Sequence, residues 1–139
     1  MKRDDLLAVV KNCYAAFAAR DVQWMCTLSA PDCIYEAPGV AEFMPWAHRH
    51  EGHEGIAKFV AALDEHLLFD HFRPSTFVAD ESQGMVVVLG RAECRARATS
   101  RSYVNNWAHV FQIRDGKVAV FREYPDTAAQ LLAVHQLRP

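Results

Sequence analysis

The feature that most restricts how this chain can fold is a change of hydrophobic period close to residue 67. Before that point apolar residues recur at helical spacing; after it come four strand-like runs separated by short turns. Residues 4–19 carry Leu6, Val9, Val10, Cys13 and Phe17 at helical spacing, with Asp4 or Asp5 placed to cap the start. Asp21 is placed to cap a shorter helix reaching Leu28, which Pro31 and Asp32 break. Cys33–Ala37 reads as a strand stopped by Pro38-Gly39, and residues 39–53 read as a loop. Gly55–Leu67 is a third helix with Ile56, Phe59, Val60 and Leu63 on one face. The strand-like runs are Phe69–Ala79, Met85–Thr99, Tyr103–Ile113 and Lys117–Tyr124, and Arg114-Asp115-Gly116 is a hairpin signal. Asp126-Thr127 is expected to cap a last helix running to Leu137.

Helices first and strands after predict an α+β fold with an antiparallel meander rather than a parallel α/β sheet. The run from Met85 to Thr99 far exceeds the roughly five or six residues of an ordinary strand, so it must bend, and Gly90 is the expected place. The prediction is one domain over residues 1–139 in the order α-α-β-α-β-β-β-β-α. A cone-shaped, curved antiparallel sheet is wrapped by the N-terminal helices around one pocket.

Composition removes several classes of function. A formal net charge of −2 exerts no global pull toward nucleic acid or an anionic membrane. The arginine series Arg91, Arg95, Arg97 and Arg101 has no interleaved aromatics, which argues against single-stranded nucleic acid. No apolar run approaches the length of a membrane span, and Lys11 and Asn12 interrupt what could pass for a secretory signal. Cys13, Cys26, Cys33 and Cys94 form no CxxC pair and sit in apolar stretches, which predicts reduced thiols and a cytoplasmic location. No dinucleotide or phosphate-loop motif is present, so no cofactor is expected.

His48-Arg49-His50-Glu51-Gly52-His53 resembles the HxH zinc motifs of metallo-β-lactamases. Gly52 stands where that motif needs aspartate, however, and 139 residues are too few for that fold. Further ligands and a second shell are not identifiable, so the segment reads as a polar loop without a metal.

Arg91 and Glu93 lie two apart on a strand and therefore share one face, while Glu123 lies on another strand. If all three point inward, an arginine between two carboxylates splits their proton affinities and makes one an acid and the other a base. The competing reading is a solvated face, because Arg91, Glu93, Arg95 and Arg97 alternate with Ala92, Cys94, Ala96 and Ala98. Trp107, His109, Phe111 and Ile113 share a mostly apolar face, where a lone histidine is either a satisfied core residue or a ligand donor and proton shuttle. Tyr35 alternates with Glu36; Tyr35 is expected in the pocket, and a register slip of one would exchange them.

The first helix ending Ala18-Ala19-Arg20-Asp21, followed by Ile34-Tyr35-Glu36-Ala37-Pro38-Gly39, resembles the nuclear transport factor 2-like superfamily. So do Trp107-x-His109-Val110-Phe111, Arg114-Asp115-Gly116-Lys117-Val118 and Arg122-Glu123-Tyr124-x-Asp126-Thr127. Within the superfamily the chain is most similar to the SnoaL-like group, which includes polyketide cyclases. The likeness spans nearly the whole chain, and it implies the fold more strongly than any one activity.

Against the ketosteroid isomerases of this superfamily, the base position falls on Ala37, the tyrosine position on Cys13 with Tyr14 pointing elsewhere, and the oxyanion aspartate on His109. That comparison implies a different chemistry. Against limonene epoxide hydrolases, the Arg-x-Asp pair falls on Arg91-Ala92-Glu93, the Arg-Asp-Tyr triplet on Arg122-Glu123-Tyr124 and the water-positioning tyrosine on Tyr35. One water ligand is missing at Ala37.

The resemblance implies an enzyme of acid–base or water-addition chemistry acting on a small hydrophobic oxygenated molecule. Glu123 and Glu93 would share the base and acid roles, Arg91 would tune them, and Tyr35 and His109 would hold water or substrate. Trp107, Phe111 and Phe121 would form the apolar wall, with Tyr14 and Trp46 completing the substrate contacts. It also implies a homodimer through the Ala-rich outer sheet face. The alternative is a module that binds an apolar ligand without changing it.

Overall fold

The computed structural model describes residues 1–135. Helices α1 (Arg3–Ala18) and α2 (Val22–Thr27) precede strand β1 (Ser29–Glu36), a short β2 (Arg49–Glu51) and helix α3 (Gly52–His66). The chain then runs through β3 (Leu67–Asp80), β4 (Met85–Ala96), β5 (Ser102–Arg114) and β6 (Lys117–Tyr124) into α4 (Thr127–Val134). The expected continuation of the last helix to Leu137 lies partly outside the described residues.

Two turn residues do what their chemistry predicts. Asp21 accepts the Trp24 N–H at 3.0 Å, and Asp126 accepts the Ala129 N–H at 3.0 Å, closing the open ends of α2 and α4. The start of α1 differs: Lys2 is the cap and makes no side-chain bond, while Asp4 and Asp5 lie inside the first turn, where they face the positive helix end. At the β5–β6 hairpin, Asp115 and Gly116 both have positive φ (53° and 77°), the geometry of a two-residue turn matched to strand twist.

The six strands form one sheet in the order β2-β1-β6-β5-β4-β3. The β3–β6 meander is antiparallel as expected, but β1 pairs with β6 in parallel, so the sheet is mixed. Having left β1, the chain passes through α3 to the far edge and returns by four strands, which brings β6 back beside β1 in the same direction. The segment expected to be a loop contains β2, which pairs Tyr35 with His50 and Glu36 with Arg49. Short strands of this kind leave no period in a sequence.

The helices cover one face of the sheet. Leu6, Val10 and Ala16 of α1 and Ile56, Phe59, Val60 and Leu63 of α3 pack against Val86 and Val88 of β4 and Val118 of β6. Gly90 sits on that inner face, and a Cβ built there would lie 2.2 Å from Cζ2 of Trp107. Across from it, the register of β3 slips between Pro74 and Thr76. An irregularity in the β3–β4 ladder therefore lies opposite Gly90, the expected place of a bend, and the glycine makes room for an indole.

Candidate functional site

Between the helices and the concave face of the sheet lies a cavity of about 60 Å³, room for a few water molecules. Helices supply Cys13, Tyr14, Phe17, Met25, Phe59 and Leu63; strands supply Tyr35, Phe69, Phe72, His109, Phe111, Phe121 and Glu123. Strand register assembles the polar part. His109 of β5 and Glu123 of β6 are direct cross-strand partners, as are Phe111 and Phe121 beside them.

His109 is 3% exposed and lies between two polar side chains. Its Nδ1 is 2.8 Å from the Tyr14 hydroxyl, and its Nε2 is 3.4 Å from Oε2 of Glu123. The second approach is an ion-pair distance without hydrogen-bond alignment, leaving Nε2 with no formed hydrogen bond among the described residues. With Glu123 ionised, a lone pair on Nε2 would face the carboxylate and be repelled, so Nε2 carries the proton. Nδ1 then accepts from the Tyr14 O–H. Trp107 stacks on the imidazole at 3.8 Å and 17°, and Phe121 meets it edge-on at 4.8 Å.

Burial holds the His109 pKa below its ordinary value, with Glu123 acting in the opposite sense. Tyr14 is driven far above the usual phenol range, first by burial and then by neighbouring Cys13 and Glu123. Cys13 is pushed up to about 12 by burial, which keeps the thiol protonated and poorly nucleophilic. Glu123 is distinctive in another way. Its side chain is 13% exposed, and it lines both the inner cavity and an open groove formed with residues 36–39, 47–49 and 122–124.

Of the residues singled out in the sequence, Glu123, His109, Tyr35, Tyr14, Phe111 and Phe121 line this cavity, with Trp107 directly behind His109. Arg91 and Glu93 do not. They stand on the outer face, with side chains 57% and 44% exposed and 3.2 Å apart. Ala92, Cys94 and Ala96 take the inner face, so strand parity sends the charged set outward and no Arg91–Glu93–Glu123 trio exists. The Ala-rich side is thus the core side and not the outer surface. Trp46 is fully buried away from the cavity lining, where its carbonyl receives the His50 Nε2–H at 2.9 Å.

Tyr35 contributes its ring only. Ser29 Oγ donates to the Met25 carbonyl at 3.0 Å, so the Tyr35 hydroxyl donates to Ser29 at 2.8 Å and is committed away from any ligand. Glu36 faces outward to Arg122 and Arg49, as its alternation with Tyr35 requires. Tyr14, one residue off the isomerase tyrosine position but expected among the substrate contacts, reaches into the cavity beside Cys13, because a long side chain at the edge of the buried stripe can lean over it.

Phe17, Phe59, Leu63, Phe69 and Phe72 also line the cavity, beyond the residues the sequence singles out. For Phe59 and Leu63 the inward helix face was the available signal. The histidines of the segment expected to be a loop are tied to backbone carbonyls, His48 to Arg49, His50 of β2 to Trp46 and His53 of α3 to Ser29. Among the described residues no group of three or more potential metal ligands gathers.

Residues 10–121 match the SnoaL-like domain. No curated protein matches the chain. Among solved structures, a nuclear transport factor 2-like protein from Burkholderia xenovorans LB400 is 30% identical over 97% of this chain and 99% of its own, with a TM-score of 0.88. TerC co-crystallised with polyporic acid is 22% identical over 95% and 99%, with a TM-score of 0.83. A candidate polyketide cyclase from Xanthomonas campestris pv. campestris is 17% identical over 96% and 98%, with a TM-score of 0.77.

Proposed function

The chain belongs to the SnoaL-like family of nuclear transport factor 2-like domains, and from that premise we propose that it is a cofactor-free enzyme moving protons on a small, hydrophobic, oxygenated molecule. The observation that carries this reading is the path Tyr14–His109–Glu123, which runs from an apolar cavity to a carboxylate at an open groove. A proton leaving the substrate passes to the Tyr14 oxygen as the Tyr14 proton moves to Nδ1 and the Nε2 proton moves to Glu123. Substrate loses one proton and Glu123 gains one, while Tyr14 and His109 are neutral before and after. The negative charge thus passes from Glu123 to the substrate while Tyr14 and His109 never ionise, which suits two groups whose burial disfavours ionisation. Run in reverse, the relay returns the proton to another position or to an oxygen released by ring opening. Isomerisation, cyclisation and water addition to an epoxide all use this exchange.

The test is turnover of a panel of small terpene-like and aryl epoxides, enolisable aryl ketones in D₂O, and polyporic acid, the compound crystallised with TerC. Diol formation or deuterium uptake is expected in the wild type and abolished in Tyr14→Phe of intact fold. Full turnover by Tyr14→Phe would sink the relay. Ligands bound and returned unchanged by both proteins would leave the non-catalytic module, a reading supported by the buried Ala37 in place of a polar partner.

The outer sheet face supports assembly as a homodimer. Leu89, Ala108 and Tyr124 form one cross-strand row, and Leu89, Val78 and Tyr124 are all about half exposed or more. A species that stays monomeric at high concentration in sedimentation would rule the dimer out. Among the described residues no helix is long and apolar enough to cross a membrane, and all four cysteines are free. The free thiols support a cytoplasmic location, which protein isolated from cells with fewer than four titratable thiols would contradict.

A further inference from the structure

Resting on the relay just described, we propose that the cavity's ligand is a compact, uncharged ring bearing a hydroxyl group, and that this hydroxyl seats between His109 and Glu123. Three polar side chains decide what the cavity asks of a ligand: Tyr14, His109 and Glu123. The Tyr14 proton is committed to Nδ1 at 2.8 Å, so Tyr14 offers the cavity its oxygen lone pairs. The Tyr35 proton is committed to Ser29. Glu123 offers lone pairs alone. Among the nitrogen and oxygen donors of the described lining residues, the one without a formed hydrogen bond is the buried Nε2–H of His109, 3.4 Å from the carboxylate; Trp107 Nε1, also unpaired, belongs to a residue outside the lining.

A ligand that completes this set must accept one hydrogen bond and donate another within the same small space. A hydroxyl does both: its oxygen accepts from Nε2–H while its proton goes to Glu123 or the Tyr14 oxygen. A carbonyl can accept from Nε2–H, but its remaining lone pairs then face the Glu123 carboxylate. An ether fails in the same way. An ammonium group pairs with Glu123 and the aromatic faces, yet leaves Nε2–H without an acceptor. A carboxylate meets no cation, because the lining contains no Lys or Arg, and it would be repelled by Glu123 in a water-poor setting. The preference for a ring comes from the lining itself, where Phe17, Phe59, Phe72, Phe111 and Phe121 offer aromatic faces and edges to the ligand.

The experiment measures dissociation constants by tryptophan fluorescence and NMR titration for phenol, anisole, benzaldehyde, benzylamine and benzoate. Phenol is expected to bind the wild type about ten- to a hundredfold tighter than anisole or benzaldehyde, the range of a hydrogen bond to a charged group. In Glu123→Gln the advantage is expected to shrink to about threefold. The wild-type series decides the matter alone if that variant does not fold. Anisole or benzaldehyde binding within about threefold of phenol would overturn the proposal, and so would benzylamine or benzoate binding more tightly than phenol. Because the panel reads binding and not turnover, a failed relay and a failed hydroxyl preference are scored separately.

Discussion

Two glutamates of this protein each lie beside a histidine at almost the same distance, and only one pair sits where chemistry can use it. Glu123 is 3.4 Å from His109, with side chains 13% and 4% exposed. Glu93 is 3.6 Å from His71, with side chains 44% and 70% exposed, and Arg91 lies alongside at 3.2 Å. Distance and residue type do not separate the pairs; surroundings do. On the outer face water screens the charges and competes for every donor, so the cluster contributes little to stability and nothing forces a particular tautomer. On the inner face the imidazole is clamped between Trp107 and Phe121, and its two nitrogens are assigned opposite roles by Tyr14 and Glu123. The family likeness nominated Glu93 and Glu123 together, yet the sheet puts them on opposite faces.

The widest gap between the pairs is expected in turnover once a substrate is found. Glu123→Gln should lower kcat by about 10²–10⁴-fold, the usual worth of a general acid–base group. Glu93→Gln should change it by no more than about twofold. Equal losses in steady-state kinetics would erase the distinction drawn here. A second contrast concerns packing on the two faces of the same strand. Gly90→Ala drives a methyl into Trp107 and should cost about 3 kcal/mol in urea denaturation, whereas Leu89→Ala on the outer face should cost less than about 1 kcal/mol. A neutral Gly90→Ala would mean that Trp107 is free to move off His109.

The smallest effect is expected in how the buried His109 links stability to pH. Burial lowers the His109 pKa below its ordinary 6.5, and burial acts first on His50 in the same direction. Below pH 6.5 the unfolded chain binds protons at these sites that the folded chain refuses, so stability is full above that pH and falls as pH drops toward the depressed folded value. The melting temperature should therefore decline between about pH 7 and 5, and less steeply in His109→Gln. A pH profile unchanged by His109→Gln would show that the imidazole titrates freely.

Much of the fold was legible in the residues. The switch of period near residue 67, the caps at Asp21 and Asp126, and the Asp115-Gly116 turn are local signals, and each appears where its local chemistry requires. The three-residue β2 was not legible, because it is too short to carry a period and exists only by pairing with β1. Nor was the parallel β1–β6 pairing, which depends on the route of the whole chain between them.

At the site, the alternation along β4 already contained the answer in two mirror-image forms, one with Arg91 and Glu93 inside and one with Ala92, Cys94 and Ala96 inside. A strand's own sequence states that its two faces differ; the packing of Ala92, Cys94 and Ala96 into the core states which one faces in. The same holds for Tyr14 and Glu123. Local pattern determined the helix and the strand that carry them, because periodicity and capping act over a few residues. Only the tertiary structure brought Tyr14, His109 and Glu123 to one cavity, because their contacts span 95 residues in one case and depend on the β5–β6 register in the other.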